Sequence, residues 1–366
     1  MWWQDLVWGF WSGLTAWVVL VAHVFGAWEG YRFYDVTRAG NWYDFGFLVG
    51  AGSPLLSAIG SGRRSRAPEK HVAMFWTLRK ENRPMRPVVK RVLASVVAVL
   101  FLIVAAVGMG RVVFERRVDE EIAALLAASG APTPRIATDD DLAGLPDPVQ
   151  RWLRWAQVVG KPIPATVRLT QEGRFLQAEG RAWMPFTAEE YFTTDPPGFV
   201  WKATMRMAPG LSIVGRDAYV AGQGSIDMRL LGLVPVAQAS GQELDQGALL
   251  RYLNEIMWFP AAALSPSITW EPIDADSARA TMRHGGATGE AIFYFDDMGR
   301  PTDMVAERPD MARGRLETWS TPLHDHGEFQ GVRVPVAGQG VWCYATGDFP
   351  YIELRITGLE FDGPRP

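Results

Sequence analysis

The 366-residue chain has a single cysteine, Cys343, which excludes an internal disulfide framework and any cysteine-rich zinc site. Histidine is scarce, with five residues. The short signatures of common chemistry are missing as well: no GxSxG elbow, no HExxH, no P-loop and no GxGxxG behind a strand. No cofactor and no metal is therefore expected, and no catalytic residue is assigned. Only His324, Asp325 and His326 cluster metal-ligand types, and Pro322 before them with Gly327 after them predicts an exposed polar loop. Cys343, in VWCY on an expected strand, reads as a small buried hydrophobe.

Charge is unevenly divided along the chain, with acidic residues few at its start and outnumbering basic ones after it. Up to Arg117 there are 15 Lys+Arg against 7 Asp+Glu, leaving 21 of the 36 basic and 33 of the 40 acidic residues for the rest. A nucleic-acid binder would carry its basic patch on the folded domain, so nucleic acid is not an expected partner.

The basic end is also the apolar one. Val92 to Gly110 runs nineteen residues without a charge. As a helix it covers roughly 28 Å, close to the hydrocarbon thickness of a bilayer. Leu6 to Trp28 is uncharged too, with His23 its only titratable group and Trp8, Trp11, Trp17 and Trp28 placed as for an interfacial belt. A cleaved signal peptide is disfavoured because Met1 to Asp5 has no basic residue. Phe45 to Gly60 is a third candidate, interrupted by Gly46, Gly50, Gly52 and Pro54, and it reads as a span or a re-entrant segment. Residues 61–91 hold ten Lys+Arg against Glu69 and Glu81, which predicts a cytoplasmic loop. Everything after the 92–110 span then lies outside the cytoplasm, with membrane lipids as partners. The N-terminus is inside with three spans and outside with two.

Beyond the membrane, Val118 to Ser129 reads as a short helix and Pro132 to Asp141 as a solvated linker, together a 118–141 connection. Residues 142–366 are the expected extracytoplasmic domain. LPDPVQRWLRWAQVVG, from Leu145 to Gly160, reads as a helix with Val149, Trp152, Leu153, Ala156 and Val159 on one stripe. A second helix is expected over residues 243–259, ended by Pro260. Around them lie short Val, Ile, Thr and aromatic-rich runs such as ATVRLTQEGRFLQ, GFVWKATMRM and YIELRITGLEF, punctuated by Gly, Pro and Asp. This layout predicts an α+β fold, a mostly antiparallel curved sheet or half-barrel with helices packed on it.

LPDPVQRWLRWAQVVG, DPPGFVWKATMRMAPGL, ELDQGALLRYLNEIMWFPAAAL and FDDMGRPTDMVAER, in that order, resemble the recurring blocks of an uncharacterised bacterial domain family over roughly residues 140–362. That resemblance implies no activity. The DDMGRP turn at Asp296 to Pro301 resembles one in the half-barrel lipoprotein carriers of the bacterial envelope, and the first 65 residues resemble small bacterial membrane proteins of unknown role.

The expected function is binding of a lipid or other hydrophobic envelope molecule on the concave face, because apolar pockets with a few polar anchors suit such ligands. Trp201, Trp258 and Phe259 are the candidate ligand-binding residues. Two alternatives stay open: an envelope hydrolase using carboxylates such as Glu189, Glu190 or Asp217, and a scaffold docking another envelope protein. Glu189 and Glu190 are consecutive and so face opposite ways in a strand.

Overall fold

The computed structural model describes residues 87–129 and 135–363, together with Trp8, Ser12, Ala16, Arg32, Tyr34, Asp35, Tyr43, Asp44 and Phe47. Most of the expected 6–28 and 45–60 spans and residues 61–86 of the expected 61–91 basic loop lie outside the described residues, while residues 87–91 of that loop are helical. The chain divides into two units, 1–86 and 87–366. In the first, the Tyr34 hydroxyl donates to Asp44, and its ring meets Tyr43 and Phe47 edge-on at 5.3 and 5.1 Å.

The second unit begins with helix α1 (Pro87–Ala128). The sequence suggests a break between residues 110 and 118, but the helix runs through it. Arg111 pairs with Glu115, and Arg117 with Glu121, each one turn apart on the helix surface, and no proline interrupts. From Val97 to Val113 its apolar side chains are largely exposed, Phe101 at 70% and Val104 at 69%. It is long and apolar enough to cross a membrane. Its C-terminal turns differ: Phe114, Val118, Ile122, Leu125 and Leu126 are buried against Tyr191, Val200, Val214 and Ala218 of the sheet.

Two further helices follow, α2 (Asp139–Leu142) and α3 (Asp147–Trp155). The first corrects the expected linker. Asp141 Oδ2 accepts from both the Thr138 backbone N–H and its hydroxyl at 2.8 Å, while the Asp141 N–H donates to the Thr138 carbonyl at 3.2 Å, and these bonds order an otherwise polar stretch. α3 is shorter than the 145–160 pattern, and its Trp152 is fully buried against Trp270, Phe293 and Phe295.

One antiparallel sheet makes up most of the domain. Its strands are β1 (Thr166–Phe175), β2 (Met184–Thr194), β3 (Pro197–Ala208), β4 (Leu211–Val220), β5 (Gln223–Leu230), β6 (Val234–Ser240), β7 (Ile268–Pro272), β8 (Ser277–His284), β9 (Ala287–Phe295), β10 (Pro301–Asp310), β11 (Arg315–Ser320), β12 (Leu323–Phe329), β13 (Val332–Tyr344) and β14 (Gly347–Phe361). The order across the sheet is β6-β5-β4-β3-β2-β1-β14-β13-β11-β10-β9-β8-β7, with β12 on β13. The two edges, β6 and β7, are consecutive in the chain. They are joined by α4 (Gln242–Glu255) and two 3-10 turns, Ile256–Trp258 and Pro260–Leu264. α4 packs on β5 and β4 of one arm and on β9 and β10 of the other, so the sheet curls around it. The arms meet at their far turns: a Cβ on Gly222 would come 2.5 Å from the Gly285 Cα. Only glycine allows this approach, since Gly222 also has φ +81. The result is a half-barrel whose two edges are linked by a strap lying in its own concavity.

Candidate functional site

β2, β3 and β4 are covered on both faces, by the core inside and by the end of α1 outside. Alternation along them sends Phe186, Ala188, Glu190 and Phe192 inward from β2, Phe199, Trp201, Ala203 and Met205 inward from β3, and Asp217 and Tyr219 inward from β4. Glu189 faces the other way from Glu190, outward, reaching Arg168 at 3.4 Å and accepting from the Tyr191 hydroxyl at 2.8 Å.

The strap brings a cation to the inward carboxylates. Arg251 of α4 donates from Nη2 to Glu190 Oε1 at 2.7 Å, from Nη1 to Asp217 Oδ2 at 2.6 Å and from Nε to Glu255 Oε1 at 2.8 Å. Its guanidinium lies over the Phe199 and Trp201 rings, 4.8 and 5.2 Å from their centroids. A second shell of bonds extends the network: Gln171 donates to Glu190 Oε2 at 3.0 Å and accepts from the Trp201 indole N–H at 3.1 Å. The planar fork of arginine suits this three-way contact, which a lysine could not reproduce.

The charges do not balance, with three carboxylates around one guanidinium. Burial pushes the Glu190 carboxyl well above the usual range, against the pull of Arg251 and with added repulsion from Glu255 and Asp217. Glu255 is raised for the same reason, burial first. Burial opposes the charge on Arg251, but the three carboxylates outweigh it and hold the guanidinium charged. Glu255 Oε2 is buried with no partner, which a proton on Glu190 would supply. The cluster thus combines a permanent cation with carboxyl groups poised to hold or release a proton.

Of the expected ligand residues, Trp201 joins this cluster and meets Phe186 edge-on at 6.0 Å. Phe259 is fully buried between Phe192 and Tyr252, at 4.7 and 5.7 Å, and Trp258 is 5% exposed in the same core. Two grooves lie elsewhere. One of about 310 Å³ runs between Phe114 and Glu115 of α1 and Thr170, Glu172, Glu189 and Lys202. The other, about 560 Å³ and open, is bordered by Arg174, Arg206, His324, Glu353 and Arg355. Neither is lined by the three rings.

The sequence reading missed Arg251 and Glu255. The signal was faint: two opposite charges at i and i+4, Arg251 and Glu255, set within the apolar run from Leu249 to Trp258, where a buried charge must find partners. The HxH segment is also corrected. It is strand β12, not a turn, because pairing with β13 outweighs its turn-like flanks; Asp325 takes φ +53 and pairs with Arg355. Both histidines are exposed, with His326 edge-on to Trp155 at 5.2 Å. Among the described residues no group of three or more His, Cys, Asp or Glu could hold a metal ion. Cys343 is half-buried on β13, and burial pushes its thiol up.

The chain belongs to a family of unknown function, DUF6544, which residues 135–354 match. This is in keeping with the resemblance carried by the four sequence blocks. No curated protein matches it. Similar solved structures include a LolA-superfamily protein from Nitrosomonas europaea, at 11% identity and TM-score 0.33, covering 59% of this chain and 94% of the other. A domain described as that of an outer membrane lipoprotein-sorting protein from Vibrio parahaemolyticus shows 9% identity and TM-score 0.31, covering 54% and 86%. A DUF1329 family protein from Desulfovibrio piger shows 9% and 0.35, covering 59% and 92%.

Proposed function

We propose that this is a membrane-anchored protein of the bacterial envelope whose half-barrel, held outside the cytoplasm, binds a lipid or other hydrophobic molecule against Trp201, Trp258 and Phe259. One observation carries the reading. The concave face is aromatic and apolar, yet the strap that fills it is fastened by the Arg251 ion cluster. Buried ion pairs add little net stability compared with apolar packing, so their use at this contact suits a segment that must seat in one register and also leave. With α4 lifted from the concavity, Trp201 of β3 is uncovered beside Trp258 and Phe259 of the strap's own last turns as an apolar bed for an acyl chain, and Glu190 and Asp217 on the strands with Arg251 on the moving helix offer polar anchors for a headgroup. The exposed apolar helix and the basic segment before it support the anchoring and its direction.

The test is uptake of a fluorescent fatty acid by the full chain purified in mild detergent and stripped of lipid. A Cβ on Gly289 would lie 3.3 Å from the Leu250 Cγ, so a Leu250→Cys, Gly289→Cys pair in a Cys343→Ser background falls within disulfide reach and locks the strap to β9. Uptake should vanish when this pair is oxidised and return on reduction. No uptake by the unmodified chain overturns ligand binding, and equal uptake by the locked form overturns the movable strap.

Convergence of Glu190, Asp217 and Glu255 favours a second reading, proton-transfer chemistry by an acidic Glu190 beside an ionised partner. Hydrolysis of an envelope substrate lost in Glu190→Gln, with fatty-acid uptake unchanged, would select it.

A further inference from the structure

One end of the sheet carries aliphatic side chains at and beside its turns, where polar residues are usual. The β5–β6 turn is Leu231-Gly232-Leu233, and Met207 and Leu211 flank the Pro209-Gly210 turn between β3 and β4. They are neighbours, because the Leu231 N–H donates to the Ser212 carbonyl at 2.8 Å while Leu211 pairs with Ala208. Leu233, Val234 and Val236 are 39%, 41% and 44% exposed, with Met207, Leu211 and Leu231 half-buried beside them.

This patch lies where α1 changes character. The uncharged run ends at Gly110, and Arg111 follows. Leu233 packs so closely on Gly110 that any Cβ there would collide with it, and a Cβ on Gly232 would meet the Arg111 Cα at 2.8 Å. Where α1 spans a bilayer, Gly110 and Arg111 stand at the headgroups, and a turn touching them stands at the same depth. Arg206, beside Met207, and Arg111, which also pairs with Glu115, flank the patch with basic side chains that suit anionic headgroups.

We propose that Met207, Leu211, Leu231, Leu233, Val234 and Val236 form a membrane-docking face that seats the half-barrel on the leaflet from which α1 emerges. The proposal rests on reading α1 as a span. Its occupant is a lipid surface, because the Gly110 contact is continuous with the lipid-facing side of the helix. Two attachments, helix and face, hold the domain at one orientation where the helix alone would let it swing. The docked edge strand β6 runs away from the face from Val234 to Ser240 and leads through Gly241 into the strap.

The test uses the full chain with Cys343→Ser, reconstituted in phosphatidylethanolamine and phosphatidylglycerol vesicles whose acyl chains carry bromine quenchers. A fluorophore is placed singly by Leu233→Cys, Val104→Cys or Gln223→Cys. Gln223 is exposed at the other end of β5, roughly 23 Å along the strand from Leu230. All three positions are at the surface, so the labels leave the core intact. At Leu233 at least about half the fluorescence should be lost, as for a group sunk roughly 5–10 Å into the interface, with Val104 quenched as well and Gln223 untouched. Quenching at Val104 with Leu233 no more affected than Gln223 overturns the docking face and leaves the span standing. No quenching at Val104 overturns the span, and the docking face with it.

Discussion

Arg251 Nη2 meets Glu190 Oε1 at 2.7 Å across the junction of the strap and β2, joining residues sixty-one positions apart. Glu190 is fully buried, so its partner is the strap and not water. The contact links local sequence to topology: a charge on a helix buried in the concavity can be satisfied only within that helix and by the strands that the curl of the sheet brings opposite it.

Removing the cation leaves three carboxylates facing one another in a dry interior. Arg251→Leu should therefore cost about 3–5 kcal/mol, the usual penalty for breaking a buried pair from one side. Adding Glu190→Gln, Asp217→Asn and Glu255→Gln should recover part of that loss. Urea unfolding in detergent, followed by intrinsic tryptophan emission, measures both. An Arg251→Leu chain as stable as the parent would show the cluster to be energetically silent.

The same cluster fixes a pH response. Glu190 is raised in the folded state by burial, so between the unfolded carboxyl value near 4.3 and its folded value the native state binds more protons than the unfolded one. Its stabilising contribution is full below that window and is lost as pH rises through it. The midpoint of thermal unfolding should fall from mildly acid toward alkaline pH, and Glu190→Gln, which keeps the neutral form, should flatten the slope. A parent profile that instead rises across this range would contradict a protonated Glu190.

Closure of the two arms depends on the contact of Gly222 with Gly285, reinforced by the Tyr219 hydroxyl on His284 Nδ1 at 2.9 Å. Gly222→Ala adds a methyl both where the backbone is left-handed and where the facing turn leaves no room. A loss of roughly 1–3 kcal/mol is expected. Tyr219→Phe removes only the hydrogen bond and should cost about 1 kcal/mol. Hydrogen exchange at the two turns would report opening of the arms in the first variant and little change in the second.

The fold class was legible because most strands carry β-branched and aromatic residues between turn signals, and α4 shows its stripe from Leu244 to Met257. Among the strands left unmarked were β2 and β4, and these hold Glu190 and Asp217. Pro185 and two adjacent glutamates disguise β2, while Gly215 followed by Arg216 and Asp217 disguises β4. Both are strands because they are covered on two sides, and that cover comes from α1 and α4, distant in sequence. A pattern of period two cannot reveal a carboxylate whose partner sits on a helix sixty residues later. Trp201, by contrast, was reachable from its strand, and it is the one expected ligand residue that touches the cluster.

The end of α1 is part of the domain and not a spacer, which makes the boundary of the folded unit testable. Ile122 is 1% exposed, and with Phe114, Val118 and Leu125 it covers Tyr191, Val200, Val214 and Ala218 on the outer face of the sheet. Lys202 pairs with Asp119 at 2.8 Å and Arg216 with Glu121 at 2.6 Å, fixing the helix in register over β3 and β4. A fragment beginning at residue 112 keeps all of these contacts and should unfold cooperatively. One beginning at residue 130 uncovers an apolar face and leaves Arg216, only 14% exposed, without its partner; it should aggregate or bind a hydrophobic dye. Ile122→Ala in the longer fragment should cost about 2–5 kcal/mol, the range for emptying a packed aliphatic site. A residue-130 fragment that is monomeric and as stable as the longer one would show that the sheet needs no outer cover from the helix.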